Sequence, residues 1–165
     1  MTMQELVTLA KQIATAHALP PELICGVCEQ ESDWDIWATR YEPGFLSRYV
    51  APLFTNNKID ATEAHCRAMS WGLMQVMGQT AREHGFRGRF LAGLCDPEAG
   101  LSIGCAVLAH KLAAAADVHS ALLLWNGGAN PDYPAQVLNR MRHYTAAAQS
   151  DVPSPDRNGE AVVAA

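Results

Sequence analysis

The chain has little positive charge, no long hydrophobic run and no export signal. Its 12 lysines and arginines are outnumbered by 17 aspartates and glutamates, which gives a formal net charge of −5. We therefore expect no broad electrostatic attraction to nucleic acid or to an anionic membrane. Any anionic polymer substrate must be held by local contacts.

The longest apolar region, residues 101–116, is interrupted by His110 and Lys111 and is too short to span a bilayer. Residues 1–10 carry Glu5 and no basic side chain, whereas a signal peptide begins with positive charge and continues as an unbroken apolar run. We therefore predict synthesis in the cytoplasm without a recognisable signal peptide, and no membrane span.

Few residues of the sequence are candidates for binding a metal or a cofactor. The six histidines form no metal-ligand spacing, and no glycine-rich phosphate loop is present. The five cysteines are odd in number, and the pair Cys25 and Cys28 lies in an apolar, helix-like run without a second pair. We expect reduced, buried thiols, with one disulfide left open for a protein that works outside the cell. No metal or cofactor is predicted.

A length of 165 residues, 49% hydrophobic and 18% charged, predicts one soluble domain, which we expect to be monomeric. Helical spacing of apolar residues recurs along most of it, and Asp96-Pro97-Glu98 is a typical helix start. The fold class is therefore mainly α. Residues 38–60 are irregular and predict either a short helix with loops or a small β-hairpin. We place the domain at 1–149 and a flexible C-terminal tail at 150–165.

Four acidic residues fall within residues 29–35, at the end of an apolar helix. A carboxyl group there, packed against Trp34 or Trp37, would lose solvation and its pKa would rise. A glycosidase acid needs this property, because it must carry a proton near neutral pH. The alternative is a solvated helix end.

Two further clusters contain residues suited to a sugar. In Gly-Leu-Met-Gln at residues 72–75, the glycine allows a turn, and the amide of Gln75 suits an acetamido group. Trp-Asn-Gly-Gly at residues 125–128 could form one wall of a sugar groove. The alternatives are a turn with a packed helix for the first cluster, and a helix stop with a core tryptophan for the second.

In this order, the motifs resemble the catalytic domain of soluble lytic transglycosylases and goose-type lysozymes. The resemblance rests on Glu31-Ser32, on residues 72–75 and 125–128, and on Tyr133 with the valine that follows it, and it spans about residues 21–144. It implies a lysozyme-like, mainly α domain with a substrate cleft. The implied partner is the glycan strand of peptidoglycan.

The resemblance also implies a mechanism without metal or cofactor. Glu31 would protonate the β-1,4 bond between N-acetylmuramic acid and N-acetylglucosamine. As a base, it would then help the muramic 6-hydroxyl to attack, leaving a 1,6-anhydro end. In hydrolytic relatives water attacks instead. The residues whose matched positions imply contact with substrate are Ser32, Ser70, Gln75, Met77, Trp125, Asn126 and Tyr133.

Two departures from the family pattern bear on this site. Trp125 stands where a tyrosine is usual, which predicts the loss of a hydroxyl contact near the acid. Pro134 follows Tyr133, although proline fits the first turn of a helix. The alternatives are a hydrolytic muramidase, a chitin-active hydrolase and a non-catalytic glycan-binding module. Action on the cell wall is expected, with phage-type release or virion association left open.

Overall fold

The computed structural model describes residues 1–56 and 58–150, so the C-terminal tail predicted at 150–165 lies outside the described residues except for Ser150. The described part is mainly helical, as predicted. Its helices are α1 (Met3–Ala16), α2 (Pro21–Ser32), α3 (Pro43–Phe45), α4 (Ala51–Thr55), α5 (Ala61–Arg67), α6 (Gly78–Glu83), α7 (Pro97–Ala114), α8 (Val118–Trp125) and α9 (Tyr133–Ser150). A π-helical stretch (Leu46–Val50) lies between α3 and α4, and a 3-10 helix (Leu91–Cys95) precedes α7.

The helix starts follow ordinary capping chemistry. Asp96 accepts a hydrogen bond from the amide of Ala99 at 3.0 Å, and Pro97 occupies the first position of α7, which confirms the predicted start. At the N-terminus, Thr2 and Glu5 form a reciprocal capping box on α1. These caps satisfy amides that the helices themselves leave unpaired.

The main hydrophobic core lies around α2, whose residues 23–28 are all buried. Gly26 allows α9 to approach this helix closely, because a Cβ atom at that position would stand 2.9 Å from the carbonyl oxygen of Val137. The end of α2 and the start of α9 are thus held against each other, and this packing positions the candidate site.

A three-stranded antiparallel sheet lies beside the helices, in the order β1 (Thr39–Tyr41), β2 (Met69–Trp71) and β3 (Val76–Met77). Arg40 lies opposite Ser70 in this sheet, and Ser70 lies opposite Met77. The hairpin connects β2 to β3 and therefore lies outside residues 38–60. That segment contributes one strand followed by short helices, because Phe45, Leu46 and Val50 pack with Ala64 and Ala68 in a small second core.

The five cysteines carry free thiols, and four of them are buried. Burial raises the pKa of Cys25 and of Cys105 to about 12, so both remain protonated and unreactive. Within residues 1–56 and 58–150, no helix is both long and apolar enough to cross a membrane.

Candidate active site

Glu31 lies in the last turn of α2, half-buried at the end of the helix. The helix ends here because Asp33 and Trp34 take left-handed backbone conformations, with φ of 49° and 65°. A negative charge at this end of a helix faces the negative pole of the helix dipole. The position itself therefore disfavours the ionised carboxylate.

Two donors bind the same oxygen of Glu31. The hydroxyl of Tyr133 donates to Oε1 at 2.5 Å, and the indole N–H of Trp125 donates to the same atom at 2.9 Å. The tyrosine hydroxyl is absent at position 125, as the sequence indicates, but the indole nitrogen of Trp125 supplies a donor to the acid in its place. Oε2 receives no hydrogen bond from the described residues and remains available for a proton.

Burial raises the pKa of Glu31 above its ordinary value, as predicted. The hydrogen bonds from Tyr133 and Trp125 and the positive charge of Arg40 act in the opposite direction without cancelling it. The neighbours differ from those expected. Trp34 is buried against Tyr144, whereas Trp37 is 70% exposed.

Trp125 ends α8 and Tyr133 begins α9, so the loop between them brings both donors to Glu31. Within this loop, Oδ1 of Asn126 accepts a hydrogen bond from the amide of Asn130 at 2.7 Å. Gln136 then joins the loop to α2, because its Oε1 accepts from Asn130 Nδ2 at 3.2 Å and from Gln30 Nε2 at 3.3 Å. Sequence reasoning missed the amides of Gln30, Asn130 and Gln136, since no motif marked them.

The Gly-Leu-Met-Gln segment is tied to the end of α2 and to β1. Ser32 Oγ lies 2.9 Å from the carbonyl oxygen of Leu73, to which it donates. Gln75 donates through Nε2 to the carbonyl oxygens of Ala38 (2.8 Å) and Gly72 (2.9 Å). Its Oε1 accepts from Ser70 Oγ at 2.7 Å. Binding of an acetamido sugar by the Gln75 amide would require these bonds to break.

Ser70 and Met77 face each other across β2 and β3, next to Gln75. Ser70 is only 2% exposed, so its hydroxyl is buried and binds Gln75 instead of facing solvent. Met77 is half-buried. Of these two residues, Met77 is therefore the better placed to touch a ligand.

The other acids near Glu31 have structural partners or face away. Glu29 accepts a hydrogen bond from the hydroxyl of Tyr144 at 2.7 Å, and the same hydroxyl accepts from the indole of Trp34 at 2.8 Å. Asp35 accepts from the backbone amide of Trp37 at 2.8 Å. Asp33 is exposed at the helix end. Glu31 is thus distinguished from its neighbours by its donors and its burial.

A surface cavity of about 670 Å³ lies elsewhere, between α5 and α6. The carboxylate of Glu63 pairs there with Arg67 and with Arg82, each at 2.8 Å. None of the predicted site residues lines it. In residues 1–56 and 58–150, no group of histidine, cysteine, aspartate or glutamate side chains is arranged to hold a metal ion.

Comparison with known families agrees with the geometry around Glu31. A family model described as "Transglycosylase SLT domain" matches residues 8–144, which is most of the chain. Searches of curated proteins and of solved structures returned no match. The family model covers most of α1, all of α2 to α8, the sheet and most of α9, including all four motif regions. The chain therefore belongs to the transglycosylase SLT domain family of glycosidic-bond-cleaving peptidoglycan enzymes.

Proposed function

We propose that this protein is a lytic transglycosylase in which Glu31 acts first as an acid and then as a base. In the first step, Glu31 gives its proton to the oxygen that links N-acetylmuramic acid to N-acetylglucosamine. In the second, the same carboxylate removes the proton of the muramic 6-hydroxyl as that oxygen attacks the anomeric carbon. The products are a 1,6-anhydromuramic end and a free N-acetylglucosamine end, and the bond is cleaved at the cell wall.

The observation that carries the proposal is the pair of donors on one oxygen of a half-buried carboxyl group. Tyr133 and Trp125 both bind Oε1 of Glu31, which leaves Oε2 as the atom that holds and transfers the proton. Burial raises the pKa of Glu31 and so favours the protonated acid that the first step needs. After transfer, the same two donors stabilise the carboxylate that is left behind.

The surroundings of Glu31 also favour a mechanism that uses a single carboxylate. Most glycosidases use two carboxyl groups, one of which is a nucleophile or activates water. Here Glu29 is bound to Tyr144 and Asp35 caps a turn, so neither is free for that role. A mechanism in which Glu31 serves twice requires no second group, because the substrate itself supplies the attacking hydroxyl.

The remaining predicted contacts fall into two kinds. Ser32, Ser70 and Gln75 hold the segments that surround Glu31, and their effect on the substrate is indirect. We propose direct contact with the glycan for Met77 and for the surfaces of Trp125 and Asn126, all of which are half-buried. Tyr133 is buried and acts through Glu31.

Analysis of the products tests this proposal. Purified peptidoglycan digested by the protein should release 1,6-anhydromuropeptides, identified by mass spectrometry, and Glu31→Gln should release almost none while remaining folded. Reducing muramic ends would instead show a hydrolytic muramidase. Release from chitin oligomers alone would show a chitin-active hydrolase, and no release from either polymer would indicate a glycan-binding module.

A further inference from the structure

The segment that joins α2 to β1 is rigidly held beside Glu31. The backbone amide of Trp37 donates to Asp35 at 2.8 Å, and the carbonyl oxygen of Ala38 accepts from the amide of Gly72 and from Gln75 Nε2, each at 2.8 Å. The turn at Trp37 is thus held within the segment, and the Ala38 end is fixed to the Gly-Leu-Met-Gln segment. Side chains that it exposes are held in constant positions relative to Glu31.

Arg40 lies on the same face of the sheet as Ser70, the residue whose hydroxyl binds Gln75. Its partner across the antiparallel pair is Ser70, and residues directly opposite each other project to the same face. The hydroxyl of Ser70 binds Gln75 on that face. The positive charge of Arg40 also acts on the carboxyl of Glu31, which agrees with this placement.

The guanidinium of Arg40 is both oriented and accessible. Its side chain is 75% exposed, and its Nε binds Oε1 of Glu42 at 2.7 Å. No other described residue accepts a hydrogen bond from it, so the two terminal nitrogens are available to hold a carboxylate in a paired geometry. Because Glu42 balances its charge, Arg40 would recognise an anion through short-range hydrogen bonds rather than through a long-range field.

Trp37 exposes 70% of its surface, more than any other tryptophan of the described residues. Its backbone is fixed, so a ligand could stack on the indole without a large loss of conformational entropy. Trp37 and Arg40 are three residues apart on one held segment. Together they offer an aromatic face and a carboxylate-binding group on the segment that follows the acid in the chain.

We propose that Trp37 and Arg40 form a recognition edge that selects glycan strands carrying carboxylates. Arg40 binds a carboxylate of the muramyl unit, from either its lactyl group or its stem peptide, and Trp37 stacks on a sugar ring. Chitin has the same sugar backbone without these carboxylates, so Arg40 discriminates against it. This inference rests on the proposed function, because it assumes that a glycan lies across Glu31.

Binding measured in the Glu31→Gln background tests the edge without turnover. The ligands are chitin oligomers, peptide-free peptidoglycan strands and strands with stem peptides, compared by calorimetry. Arg40→Gln should weaken, about tenfold, the binding of the charged strands that present the recognised carboxylate, and it should leave the binding of chitin oligomers unchanged. Trp37→Ala should weaken all three about fivefold to tenfold. The matched control is Arg48→Gln, which removes another exposed arginine, one that lies over the ring of Tyr49.

If Arg40→Gln loses affinity for peptide-free strands but keeps its affinity for strands with stem peptides, the contact is with the lactyl carboxylate. The stem peptide is attached to that carboxyl group and blocks it. An effect confined to the strands with stem peptides would assign the contact to the peptide. Equal losses on charged and neutral ligands, or equal behaviour of the Arg40 and Arg48 variants, would overturn the proposal. The intact protein's cleavage of peptidoglycan is measured in parallel, so that a failure of the proposed function is seen separately.

Discussion

At the residue scale, the chemistry of Glu31 is a balance between burial and hydrogen bonding. Loss of solvation favours the protonated acid, whereas the donors Tyr133 and Trp125 favour the carboxylate. Burial outweighs the donors, so the pKa of Glu31 is raised. The carboxylate that forms when Glu31 loses its proton is still stabilised by the two donors. An acid that must later act as a base needs both properties.

Removal of the Tyr133 hydroxyl should change this balance in a defined direction. In Tyr133→Phe the carboxylate loses a donor, so the pKa of Glu31 rises further and the proton is retained to higher pH. The alkaline limb of the kcat/KM profile should move to higher pH, while the maximal rate falls about tenfold to a hundredfold because the acid is less well positioned. The pH dependence of muropeptide release measures both effects.

Tyr144→Phe is the matched control, because it removes a hydroxyl from the same helix at the Glu29 site. It should lower the free energy of unfolding by about 1–3 kcal/mol, since Glu29 and the indole of Trp34 lose a partner. The alkaline limb should not move. A shift of equal size in both variants would mean that Tyr133 does not act through Glu31.

Trp125 provides a second test of the shared oxygen. Trp125→Phe keeps an aromatic ring but removes the N–H donor, so activity should fall about tenfold. Trp125→Tyr restores a donor at the position where the family usually has a tyrosine, and it should retain most activity. The initial rate of peptidoglycan solubilisation distinguishes the two. If phenylalanine and tyrosine behave alike, the hydrogen bond to Glu31 contributes nothing to catalysis.

At the element scale, the site depends on how α9 and the end of α8 are held against α2. Gly26 permits the close approach of α2 and α9, and the amide contacts of Gln136 fasten the loop that precedes α9. Neither feature touches the glutamate, yet both set the position of Tyr133. Displacement of α9 by a few tenths of an ångström would weaken a hydrogen bond of 2.5 Å.

Gly26→Ala should separate these helices. The added Cβ would stand 2.9 Å from one backbone atom of α9 and 3.0 Å from another, so the helix must shift. The better helix propensity of alanine offsets about 1 kcal/mol of this packing cost. We expect the free energy of unfolding to fall by about 1–2 kcal/mol in total, and kcat to fall as well. Chemical denaturation and steady-state assays measure the two.

Gly44→Ala is the control for that change, because a Cβ atom at Gly44 would have nothing within 4 Å and this glycine is also in a helix. The substitution should be neutral, or stabilising by about 0.5–1 kcal/mol. Similar losses in the Gly26 and Gly44 variants would show that the packing of α2 against α9 is not the cause.

The longer helices, and Glu31 as the candidate acid, could be predicted from the sequence, because apolar spacing and motif order are local signals. The hydrogen bonds of the Gln75 side chain within the protein could not be predicted, since its partners come from segments that only folding brings together. The contact from Gln30 to Gln136 crosses 106 positions of the chain. Strands of two or three residues carry no usable alternation, which is why the sequence indicates only an irregular segment near the sheet.

At the scale of the whole molecule, the site is a local cost to stability. A carboxyl group with a raised pKa favours folding below its ordinary pKa, and that contribution is lost as the pH rises through the folded value. Above its folded pKa, the folded protein therefore carries a penalty for the ionised Glu31. Function is retained at the expense of some stability, as is common at active sites.

Glu31→Gln should remove this penalty. The melting temperature of the variant relative to the native protein should increase as the pH rises from acidic to neutral, as measured by differential scanning calorimetry. Glu29→Gln makes the same change two residues away and should be destabilising near neutral pH, because the Glu29 carboxylate pairs with Arg140 and accepts a hydrogen bond from Tyr144. A Glu31→Gln protein that loses stability as the pH rises would contradict the burial argument.

The central claim is that a hydroxyl of the substrate, and not water, completes the reaction begun by Glu31. Digestion of purified peptidoglycan in heavy-oxygen water, followed by mass spectrometry, tests this most directly. We predict 1,6-anhydromuropeptides without solvent oxygen at the new muramic end, and none of these products from Glu31→Gln. One heavy oxygen at each new muramic end would show that water attacks and would contradict the transglycosylase mechanism.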